Sequence, residues 1–152
     1  MTALLIRDAR PDDLPGIVGL HAADAVGGHG DVWADETRPL YEAAFRRLAD
    51  HPDHAVFVAE HEGAVVGSFI LSILPGLTGR GAVHAELRSV QVRADLRSLG
   101  IGARMVAHAE AEARRRGASV IELTSNLKRL DAHRFYERLG YAKSHAGFKK
   151  AL

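Results

Sequence analysis

The feature that most narrows the fold is a strand-like run, Val83 to Val92, that passes through a short turn into a helix opening on two closely spaced glycines, Gly100 and Gly102. That helix, Gly100 to Arg116, carries Ile101, Met105, Ala109 and Ala113 at intervals of four, so one face is apolar and must pack on something. Arg114, Arg115 and Arg116 fall in its last turn, where basic side chains meet the dipole favourably, and Gly117 supplies a C-terminal cap. A further strand, Val120 to Thr124, comes next. Strand, helix and strand in succession make a crossover, which commits the chain to a sheet with helices on its faces.

The remainder of the chain agrees with this. Leu4-Leu5-Ile6 is a short first strand, and Pro11-Asp12-Asp13 opens a helix with Leu14, Ile17, Val18 and Leu20 at roughly helical spacing. Gly27 to Asp31 is too glycine-rich for the interior of a helix or strand, and Glu36 to Asp50 reads as a second helix. Ala55–Ala59 and Val65–Leu71 flank Glu62-Gly63 as a hairpin, Pro75-Gly76 ends its second strand, and Thr78 to Ala82 forms a loop. Beyond the crossover come a helix, Asp131 to Leu139, ended by Gly140, and a final strand, Tyr141 to Lys149. The expected fold is α/β and occupies residues 1–152 as one domain.

Composition limits the chemistry. A chain of 152 residues, 47% hydrophobic and 26% charged, suits one soluble core. The net charge of +1 gives no global attraction to nucleic acid or an anionic membrane, and the arginine cluster is expected to be a solvated helix end. There is no cysteine, which excludes disulfides, thiolate metal sites and a thiol nucleophile. No apolar run approaches the ~20 residues of a membrane helix, and Met1 to Asp12 does not resemble a secretion signal. A cytoplasmic enzyme or binding domain is expected.

The turn between Val92 and the helix carries the chemistry. A helix start offers unpaired N–H groups and the positive end of the dipole, a ready site for phosphate. Gly100 and Gly102 let a ligand approach the backbone, and Arg97 and Arg104 can add charge. An ATP-binding loop would need Gly-Lys before Ser or Thr, and the chain has no Gly-Lys pair. A dinucleotide fingerprint would need a third glycine where Met105 stands.

The pattern that remains, Arg97-x-x-Gly100-x-Gly102 after a strand, resembles the pyrophosphate loop of GNAT acetyltransferases. Asn126 after a strand, followed by Phe135-Tyr136 and Gly140-Tyr141, resembles the second signature of that family. The tail, with Ser144-His145 and Gly147-Phe148, looks like the subgroup of aminoalkylphosphonate acetyltransferases. The resemblance implies a mixed sheet of six to seven strands with helices on both faces. It also implies acetyl-CoA as co-substrate, with direct transfer of acetyl to a primary amine of a small molecule. It assigns Val90, Gln91, Val92, Arg97, Ser98, Leu99, Gly100, Ile101, Gly102, Ala103, Asn126, His133 and Phe135 to the coenzyme, with the oxyanion taken by a backbone N–H of Val90 to Val92.

Tyr136 matches the family's general acid and Glu86 the glutamate that relatives use as base through water. His84 is two residues from Glu86 and shares its face unless a bulge intervenes, as expected where the family splays this strand. Two such ligands are too few for a metal site, and no metal is expected. His29, Asp31 and Trp33, with Arg80 in a second loop and His84 on the strand, are candidates for contact with the acceptor; a surface loop explains the first three equally well. Ser98 stands where the family usually has glycine and Leu99 where a basic residue is common, departures expected to alter how the loop wraps the pyrophosphate. Transfer of another acyl group, protein amines as acceptors, and a non-catalytic coenzyme-binding sensor remain alternatives. The pattern allows a homodimer through an exposed final strand or helix and does not require one.

Overall fold

The computed structural model describes residues 3–152. Its sheet has five strands among the described residues, in the order β1 (Leu5–Asp8), β2 (His54–His61), β3 (Ala64–Pro75), β4 (Val83–Val92), β5 (Val120–Glu122). The first four are antiparallel neighbours, and β5 joins β4 in parallel. A two-residue hairpin links β2 to β3, with Glu62 at φ 51° and Gly63 at φ 76°, the primed geometry whose twist suits adjacent strands.

Alternation along β2 sends side chains to opposite cores. Phe57 and Ala59 face Phe69, Leu71, Ala85 and Leu87, and this layer is closed by Ile101, Met105, Ala109 and Ala113 of α4 (Ile101–Arg115, the fourth helix). Val56 and Val58 face the other way, under Leu14 and Ile17 of α1 (Leu14–Ala22) and Phe45 of α2 (Arg38–Ala49). The four-residue spacing on α4 thus marks the buried stripe. Helix and sheet approach closely at Gly67, where an added Cβ would stand 2.6 Å from the Met105 sulfur. The turn α3 (Thr78–Gly81) and the helix α5 (Leu130–Arg138) complete the elements. No described helix is long and apolar enough to cross a membrane.

The sheet differs from the expected six to seven strands. The segment read as a final strand, Tyr141 to Lys149, is not one in the structure. The Tyr141 amide donates to the Tyr136 carbonyl at 3.0 Å, and no later residue makes a backbone hydrogen bond. The strand that precedes it in the chain, β5, stops after three residues rather than running on to Thr124. So short an edge offers too few ladder bonds to offset the entropy of ordering a partner.

Candidate active site

β4 is the backbone of the site because its two edges are unequally paired. Its β3 edge is hydrogen-bonded from Val83 to Val92, whereas β5 accompanies it only at His84, Ala85 and Glu86. Beyond Glu86 the β5-facing edge has no strand partner, and the two strands open as a wedge. Inside this wedge β4 carries a bulge. Register runs from Ile70↔Arg88 to Ser68↔Gln91, so Ser89 and Val90 oppose the single residue Phe69, and Ser89 takes φ 54°. The expected bulge therefore exists but lies downstream of His84 and Glu86, which share one face of the sheet. Val90 and Val92 pack on the α4 core, and Gln91 is buried with its amide donating to Asp24 Oδ2 at 2.9 Å.

The wedge leads to the turn. After a 3-10 turn at Ala94–Leu96, Ser98 and Gly100 adopt φ 65° and 83° and α4 begins. No hydrogen bond among the described residues takes up the amides from Ser98 to Ala103. These donors sit at the positive end of a fifteen-residue helix, the arrangement a diphosphate requires. Ser98 takes the left-handed conformation a glycine would, at a cost of about 1–2 kcal/mol. Leu99 is half exposed, Ile101 buried and Ala103 partly buried. Arg97 folds back to donate to the Val92 carbonyl at 3.1 Å. Arg104, expected to add charge here, instead donates to the Leu4 carbonyl at 3.0 Å and faces β1. Gly102 leaves room for the Phe135 ring, which lies 3.2 Å from where its Cβ would be.

Helix α5 closes the wedge from the other side. The Asn126 carbonyl accepts from the Arg129 amide and meets His133 Nε2 at 2.9 Å, while its side-chain oxygen accepts the Lys128 amide at 2.9 Å. Asn126 thus shapes the entry to α5 through its two oxygens. Tyr136 packs edge-on against Phe135 and Tyr141, with ring centroids 5.0 and 5.6 Å away. Burial pushes its hydroxyl up to about 12, against the downward pull of Arg129, so it keeps its proton throughout the physiological range.

A polar band crosses the opposite half of the site, on the sheet face shared with α1 and α2. His54 Nδ1 meets Ser72 Oγ at 2.8 Å, Arg88 donates to the same oxygen at 2.9 Å, and Arg88 Nε stands 3.1 Å from Glu86 Oε1. His84 Nδ1 lies 3.1 Å from Glu122 Oε2. Of this band the sequence reading named only Glu86 and His84. Among the described residues no three His, Asp or Glu side chains gather as a metal site.

The loop between α1 and α2 is tied to Tyr41. That hydroxyl donates to Asp31 at 2.8 Å and accepts the Val32 amide at 3.2 Å, and its ring lies 6.1 Å from Trp33. Asp31 and Trp33 thus anchor the loop, His29 is exposed, and Arg80 is exposed at φ 62° in α3. The sequence reading did not single out Asp24 or Arg129, which form an ion pair between this loop and the start of α5. No local pattern could reveal a contact between residues 105 positions apart.

Residues 21–141 match the model of the acetyltransferase (GNAT) family, and the chain belongs to that family. It is 42% identical over 95 residues to an aminoalkylphosphonate N-acetyltransferase of Salmonella typhimurium. That match spans 62% of this chain and 61% of the relative. A solved structure from Bacillus halodurans C-125, called a transcriptional regulator, superposes with a TM-score of 0.94 at 31% identity, covering 99% of this chain and 100% of that one. An acetyltransferase structure from Agrobacterium tumefaciens, described as putative, gives 0.84 at 26% identity over 97% of this chain and 99% of its own.

Proposed function

We propose that this chain is an acetyl-CoA-dependent N-acetyltransferase acting directly on a primary amine of a small molecule, as one cytoplasmic domain. The observation that carries this reading is the wedge between β4 and β5, lined by unpaired backbone and leading to the free amides of Ser98 to Ala103. Those amides suit the coenzyme diphosphate, and the open edge of β4 suits its amide-bearing arm. Acetyl-CoA supplies an activated acetyl group and a thiolate that departs.

The chain's residues then divide the work. A backbone N–H of the Val90–Val92 stretch, freed by the bulge, holds the oxyanion that forms as the amine attacks. The Tyr136 hydroxyl, protonated and partly buried, donates to the sulfur as negative charge grows there. The departing thiolate takes the Tyr136 proton late, as the carbon–sulfur bond breaks, and the second proton that the nitrogen loses as the amide forms restores the tyrosine. Glu86 accepts the amine's proton through water, with Arg88 holding its carboxylate in place. The amine is mostly protonated at neutral pH, so its deprotonation precedes attack.

A coenzyme-binding sensor is the second reading. The ion pair that engages Glu86, and the name of the Bacillus halodurans relative, favour it. Calorimetric titration with acetyl-CoA, followed by measurement of CoA release across an amine panel, separates the two. Binding with turnover is expected; binding without turnover on any amine would establish the sensor, and absence of binding would refute both.

A further inference from the structure

One partly buried charge contact crosses the site from wall to wall. Asp24, just past α1, receives four donors. The amides of Val26 and Gly27 donate to Oδ1, each at 3.2 Å, while Gln91 and the Arg129 guanidinium donate to Oδ2. Burial would raise the Asp24 carboxyl, but Arg129 and the two amides outweigh it and hold it below the usual carboxylate range. The pair lies under Gly27, where an added Cβ would stand 2.5 Å from Arg129 Nη2.

The two partners are unequally satisfied. Asp24 is 12% exposed and keeps three donors if Arg129 leaves. Arg129 is 28% exposed and carries five N–H donors, yet Asp24 is its only side-chain acceptor among the described residues. None of its nitrogens is among the buried atoms that lack a partner, so the unused part of the fork reaches solvent. Its location is catalytic ground. Its charge bears on the Tyr136 hydroxyl, and through Asp24 it adjoins Gln91 in the oxyanion stretch. The coenzyme's phosphates belong to the turn beyond Phe135, and its thioester end carries no anion for this guanidinium.

We propose that Arg129 selects the acceptor: it releases Asp24 and grips, with its free fork, an anionic group carried by the amine, such as a phosphonate, phosphate or carboxylate. This rests on the transferase reading above. The exchange replaces one charge-assisted bond by a bidentate pair and leaves Asp24 hydrogen-bonded. It also places a tethered amine between Tyr136 and the bulge.

The test compares aminomethylphosphonate with ethylamine as acceptors. Arg129→Met should lower kcat/KM for the phosphonate about 10- to 100-fold more than for ethylamine, mainly through KM, with acetyl-CoA affinity little changed. Arg129→Lys should restore part of the loss, because a point charge replaces the fork. Asp24→Asn should act in the opposite direction and lower the phosphonate KM, since it removes the competing carboxylate. A purely structural tie predicts instead that both substitutions impair both amines alike, which would overturn the proposal. Titration of methylphosphonate alone, followed by calorimetry, separates this claim from the transferase reading. Binding that depends on Arg129 in a protein that acetylates no amine would uphold the anchor and sink the enzyme. Acetylation by a protein that binds no methylphosphonate would do the reverse.

Discussion

The two halves of the site are made from different materials. On the coenzyme side, from Val92 to Arg104, recognition is assigned to backbone: six consecutive amides without acceptors, Ser98 and Gly100 in the left-handed region, and a helix start. On the acceptor side, side chains meet across the sheet, Asp24 with Gln91 and Arg129, Arg88 with Glu86 and Ser72. A backbone site tolerates side-chain change so long as φ is preserved, which is why Ser98 can stand where glycine is usual. A side-chain site can be retuned one residue at a time. The same scaffold can therefore keep one coenzyme while its acceptor varies.

Substitutions can break this contrast, and the largest effect belongs to the residue between the halves. Tyr136→Phe should reduce kcat by about 10²- to 10⁴-fold while leaving acetyl-CoA affinity unchanged. Full kcat across the pH range in that variant would remove Tyr136 from the chemistry. Its hydroxyl is raised rather than lowered, so the protonated form is the one extended. Wild-type kcat should accordingly show no alkaline loss from this group until pH approaches about 12. Gly102→Leu comes next. The new side chain must displace Phe135 at a cost of about 1–3 kcal/mol, and coenzyme affinity should fall on the order of tenfold or more. Unchanged affinity, read by calorimetry, would separate the turn from the phosphates. Glu86→Gln should lower kcat/KM most at low pH, where the amine is hardest to deprotonate; a pH profile parallel to wild type would remove Glu86 as base.

These contrasts also explain what could be read without coordinates. The crossover, the hairpin at Glu62-Gly63 and the α4 stripe are local patterns, and each appears where the periodicity places it. The turn that opens α4 was legible for the same reason, since glycine spacing after a strand is a local signal. The final strand failed because alternation says nothing about whether a neighbouring edge is long enough to pair with. Arg104 was misplaced because its partner, the Leu4 carbonyl, lies 100 residues away. Asp31 and Trp33 are candidates for the acceptor wall in the sequence, which a surface loop explains equally well; their links to Tyr41 exist only once α2 is folded against the loop. Arg88 and Arg129 had no motif to announce them, being ordinary arginines until the sheet and α5 bring them to the cleft.

The smallest expected effect tests the backbone half most directly. Ser98 holds φ 65°, a conformation that costs an L-residue about 1–2 kcal/mol. Ser98→Gly removes that strain but adds roughly 0.5–1 kcal/mol of chain entropy in the unfolded state. The difference should be a gain of about 0.5 kcal/mol, or a rise in Tm of about 1–2 °C. If the loop binds through amides alone, coenzyme affinity should not move, because the backbone already has the geometry glycine would take. A marked gain in affinity would show that the Ser98 side chain obstructs the diphosphate, and a marked loss that its hydroxyl contacts it. Either result would transfer this position from backbone to side-chain recognition and weaken the division between the two halves.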